Sequence, residues 1–65
     1  MNITSANKVM DAGFRVIRCD DQPSIRIKER CGNNGAWRTI ENFTSKAARD
    51  RRFKAMLLDP KIIED

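Results

Sequence analysis

Apolar and polar residues alternate most regularly between Ser24 and Cys31. Ile25 and Ile27 fall on one side there and Arg26, Lys28 and Arg30 on the other, the period of a strand with one buried face. Upstream, Gly13–Cys19 is rich in β-branched and aromatic residues and predicts a first strand. Asp20-Asp21-Gln22-Pro23-Ser24 separates the two as a turn, because proline and aspartate interrupt strands. Gly32-Asn33-Asn34-Gly35 predicts a hairpin loop, since Gly and Asn accept positive φ, and Ala36–Asn42 follows as a third strand. Thr44 or Ser45 then caps a helix running to about Leu58, where Asp59-Pro60 stops it. Residues 59–65 form an acidic tail whose short last turn carries Ile62 and Ile63, and residues 1–12 are a mobile lead or a short helical turn ending at Gly13. The expected architecture is α+β, one domain over residues 1–65: a three-stranded antiparallel sheet followed by one C-terminal helix packed on one face, β-β-β-α.

The hairpin register has a chemical check. A four-residue loop at 32–35 places Cys31 opposite Ala36, Arg30 opposite Trp37, Glu29 opposite Arg38, Ile27 opposite Ile40 and Arg26 opposite Glu41. Apolar, opposite-charge and cation–aromatic pairs then arise together. A five-residue loop at 20–24 sets Ile17 opposite Ile27 and Cys19 opposite Ile25; a four-residue loop would turn the first strand over. With the longer loop, Ile17, Cys19, Ile25, Ile27, Cys31 and Ile40 share the core face. Phe14, Val16, Arg18, Arg26, Lys28, Arg30, Trp37 and Thr39 share the other. On the helix, Phe53, Met56 and Leu57 fall on one side, rimmed by Arg49, Arg51, Arg52 and Lys54.

Charge adds a direction to this picture. The chain of 65 residues carries a net charge of +4. Residues 14–38 hold six basic residues against three acids and residues 44–58 five against one, while the tail from Asp59 holds one lysine against three acids. A basic middle suits an anionic partner. Catalysis is not expected. There is no histidine to act as a general base near neutral pH or to activate Cys19 or Cys31. Two thiols are too few for a structural metal site, no cofactor motif is present, and no stretch approaches the roughly 20 apolar residues of a membrane span. Met1–Ser5 has no apolar run of a secretory signal, so a cytoplasmic setting with reduced thiols is expected.

The segment Trp37-Arg38-Thr39-Ile40-Glu41-Asn42-Phe43-Thr44-Ser45-Lys46-Ala47-Ala48 resembles the strand-to-helix junction in the arm-binding domains of phage and conjugative-transposon integrases. Those domains are three strands plus a helix and bind DNA through the exposed sheet face. The resemblance implies the same use here for Arg26, Lys28, Arg30 and Trp37. With Arg18, these residues form the candidate site: cations for phosphates and one aromatic for stacking or wedging. The expected role is that of a small nucleic-acid-binding accessory protein, and the resemblance implies an origin in a mobile element. The rival expectation is a protein-interaction module or inhibitor, or a homodimer, that buries the same aromatic face. A third arrangement has Ile3, Val9 and Met10 folding back over it.

Overall fold

The computed structural model describes every residue except Asn33, so the second position of the expected hairpin loop lies outside the described residues. Six elements follow in order: α1 (Ile3–Asp11), β1 (Arg15–Asp20), β2 (Arg26–Cys31), β3 (Ala36–Asn42), α2 (Lys46–Met56) and β4 (Ile62–Glu64). They form a four-stranded sheet of order β3-β2-β1-β4. The class is α+β, but the sheet is mixed and the described residues form two helices, which corrects the expected β-β-β-α plan.

Two segments account for the difference. The N-terminal lead is a helix of nine residues begun by Asn2, whose side-chain oxygen accepts the Ser5 N–H at 2.8 Å. The tail is not a last helical turn. Arg15 N–H donates to Lys61 O at 2.7 Å, and Ile62, Ile63 and Glu64 then pair in parallel with Arg15, Val16 and Ile17. A parallel neighbour requires a crossover, and the connection through α2 provides it.

The β2–β3 register agrees with the expectation from Cys31↔Ala36 through Arg30↔Trp37 and Glu29↔Arg38 to Lys28↔Thr39. Beyond it the ladder shifts, and Ile27 faces Glu41 while Arg26 faces Asn42. Ile40 is the extra residue of this bulge and still packs against the core. The β1–β2 turn is also displaced: Cys19 pairs with Ile27 and Asp20 with Arg26, leaving residues 21–25 as the loop. A shift of two preserves strand parity, so the expected faces stand, although Ile25 sits in the turn.

The main core lies on the face of Ile17 and Ile27, both fully buried beneath Phe53 and Met56 of α2. Cys19, Ile40, Phe43, Leu57 and Ile62 pack around them, and both cysteines are free thiols. Ser45 caps α2 by accepting the Ala48 N–H. The buried Arg49 pins the helix to the β1–β2 turn by donating to Asp20 O at 3.2 Å and to the Asp21 carboxylate, while Arg52 reaches Glu41 on β3 at 2.9 Å. Within α2, Asp50 accepts from Arg49, and Lys46 pairs with Asp21. On the opposite face, α1 packs against β1, where Ala6 and Val16 are both fully buried. No helix among the described residues is long and apolar enough to cross a membrane.

Candidate nucleic-acid interface

The second sheet face is divided. Its β1 side lies under α1, and the N-terminal end of α1 reaches the β2–β3 hairpin. Arg30 Nη2 donates to Met1 O at 3.1 Å, Arg30 Nη1 to Gly35 O at 3.4 Å, and Ile3 lies against Gly35. The N-terminal segment therefore does fold back, covering Val16 and crowding Arg30, whose side chain is only 11% exposed. Phe14 precedes β1, with Lys61 Nζ 4.7 Å from its ring centroid.

Alternation on β2 and pairing across β1 and β3 bring the five expected residues together. Around the half-buried Trp37 indole stand Arg30 at 4.7 Å, Lys28 at 5.2 Å and Arg18 at 5.8 Å from the ring centroid. Arg18 and Lys28 are direct cross-strand partners, as are Arg30 and Trp37. Such cations above an aromatic ring are attracted by its negative face. Arg26 stands one alternation further along β2 and donates to Thr39 Oγ1 at 2.7 Å. Arg18 is the most open of the four cations, at 53% side-chain exposure.

Two carboxylates absent from the expected site belong to it. Asp20 Oδ2 accepts from Lys28 Nζ at 2.8 Å and Arg26 Nη2 at 2.9 Å. The Lys28 hydrogen bond, then that of Arg26, and the Gln22 N–H on Oδ1 hold the Asp20 carboxyl well below the usual carboxylate range. Asp65, carried in by β4, lies 3.8 Å from Arg18, 3.9 Å from Arg30 and 3.2 Å from the Met1 amino group. A first strand extended one residue, through Asp20, would have revealed the first of these carboxylates by parity. The second depends on β4, which the sequence pattern did not predict.

The core face has polar chemistry of another kind. The buried Glu29 accepts two hydrogen bonds from Arg15, at 2.7 and 3.2 Å, and one from Arg38 at 3.4 Å. The Arg15 hydrogen bond lowers the Glu29 pKa against the opposing effect of burial. The hydrogen bond that Arg49 donates to Asp21 raises the Arg49 pKa, and burial pushes the Cys19 thiol up. Among the described residues, no group of three or more acids and cysteines is placed to hold a metal ion.

Comparison with known protein families, curated proteins and solved structures finds no match for this chain.

Proposed function

We propose that the protein binds nucleic acid through the open part of its second sheet face and acts as a small accessory factor rather than an enzyme. The observation that carries this reading is the Trp37 indole with three cations, from two strands, within 5.8 Å of its centroid. Arg18, Lys28 and Arg26 supply charge for phosphates, and Trp37 supplies a π-surface for a base, the two elements of single-strand binding. Arg30 contributes charge while also anchoring the start of α1. The face is narrow because α1 occupies the β1 side, so one base and a few phosphates are the natural footprint. The arm-binding resemblance points the same way and suggests an origin in a mobile element.

The test is a salt titration with mixed-sequence single-stranded DNA and RNA. Exchanging Arg18, Arg26 and Lys28 together for Gln should lower the slope of log affinity against log salt by about 2, near 0.7 per lost phosphate contact. Trp37→Ala should cost roughly 1–3 kcal/mol in binding with the slope unchanged. Binding that neither variant weakens, or no binding by the native chain, overturns the reading. If the native protein instead self-associates through this face, or takes a protein partner with little salt dependence, the rival reading replaces it.

A further inference from the structure

We propose that Asp20, with Asp65 in support, is a built-in counter-anion of the basic face, occupying in the free protein the place that a phosphate takes in the complex. The inference rests on the nucleic-acid reading and names how that site is regulated. One Asp20 oxygen receives both Lys28 Nζ, at 2.8 Å, and Arg26 Nη2, at 2.9 Å. Two cations converging from alternate positions of one strand onto a single oxygen make an anion subsite, and phosphate oxygens accept charge-assisted hydrogen bonds of the same length. Asp65 is nearly buried and lies between Arg18 and Arg30 at 3.8 and 3.9 Å, with the Met1 amino group nearer at 3.2 Å. The four cations of the face therefore meet two internal carboxylates.

Asp20 is well placed to yield. It ends β1 beside the turn, where Asp21, Gln22, Pro23 and Ser24 are all exposed, so its side chain can turn to water without opening the core. Its backbone carbonyl, not its carboxylate, holds Arg49. On binding, Lys28 and Arg26 pass from carboxylate to phosphate and keep their hydrogen bonds. The displaced carboxylate remains nearby as a repulsive charge. A lone anion gains little from this exchange, whereas a chain of phosphates can displace Asp20 and reach the exposed Arg18 at once. The device thus weakens binding overall and selects polyanions over single anions.

The experiment measures binding of a labelled mixed-sequence oligonucleotide of about 12 nucleotides across salt concentrations from about 50 to 400 mM, with a thermal melt of each variant. Asp20→Asn should bind several-fold more tightly than the native chain at about 50 mM salt, and the gain should shrink towards about 400 mM as salt screens the repulsion of the carboxylate it removes. Asp20→Glu, which keeps the charge, should show no comparable gain, and Asp65→Asn should show a smaller gain of the same sign. A folded Asp20→Asn protein that binds no tighter than the native chain overturns the proposal. So does loss of its cooperative melt, because the carboxylate then serves the fold, unless Asp65→Asn still binds more tightly. Native binding with unchanged variants removes this inference and leaves the nucleic-acid reading standing. Absence of binding by every protein, native and variant, removes both.

Discussion

Truncating Ile27 to alanine probes the packing that holds both faces in place. Ile27 is fully buried at the centre of the sheet, paired with Cys19 on β1 and Glu41 on β3, beneath Phe53 and Met56. The substitution removes three carbons, worth about 0.8 kcal/mol each in transfer alone, or about 2.4 kcal/mol together. The cavity left between sheet and helix adds to this, and the usual range for such truncations is about 2–5 kcal/mol. A domain of this size has a total stability of about 3–10 kcal/mol, so the variant should be close to unfolding at ambient temperature. At about 4–8 °C per kcal/mol, its Tm should fall by at least 10 °C or so. Thr39→Ala is the matched control. Thr39 is exposed on the other face and accepts one hydrogen bond, from Arg26 at 2.7 Å, worth roughly 0.5–1.5 kcal/mol. Urea and thermal denaturation followed by circular dichroism measure both. A loss below about 1 kcal/mol for Ile27→Ala, or equal losses for the two, would refute the assignment of faces on which the site is built.

Acid should destabilise the protein through Glu29, Asp20 and Asp21. Their folded pKa values lie below the ordinary values of about 4.3 for Glu and about 3.9 for Asp, so their contributions are present above those values and are lost as pH falls below them. The melting temperature should hold level from pH about 7 to about 5 and drop below about 4, and a melting temperature that rises on acidification contradicts these ion pairs. Gly35→Ala should destabilise by about 1–2 kcal/mol because its φ is +74°. It should also shift amide resonances at the start of α1, since a Cβ there would lie 2.5 Å from Ile3 Cδ1. Gly32→Ala, at φ +71° with only Asn34 Oδ1 near at 3.4 Å, should carry the backbone cost without disturbing α1, and equal disturbance by both would place the N-terminus elsewhere.

Legibility in the sequence followed how local the signals are. β2, the hairpin at its end and the Ser45 cap are written in neighbouring residues, so the Arg30–Trp37 pairing and the shared face of Arg26, Lys28 and Arg30 could be read directly. The Ile40 bulge could not, because no residue of the local pattern marks the register shift between Ile27 and Lys28, and the Arg52–Glu41 contact beyond it joins distant elements. β4 is three residues long and exists through its pairing with β1, a contact some 47 positions away in sequence. Asp65 was hidden with it. Helix α1 carries its cap at Asn2 and apolar residues at Ile3, Ala6, Val9 and Met10, but without the sheet to cover, so short a stretch is marginal as a helix. Its docking on Val16 is what halves the candidate surface.

The central claim is that the open part of the second face, around Trp37, contacts nucleic acid. Amide chemical-shift titration of the native chain with mixed-sequence DNA and RNA, at low and at high salt, tests it most directly. The account predicts shifts concentrated at Arg18, Arg26, Lys28, Arg30, Trp37 and Thr39, a broadened Trp37 indole N–H, and loss of these changes at high salt. Shifts absent from those residues at low salt, or shifts confined to the outer side of α2, would contradict it.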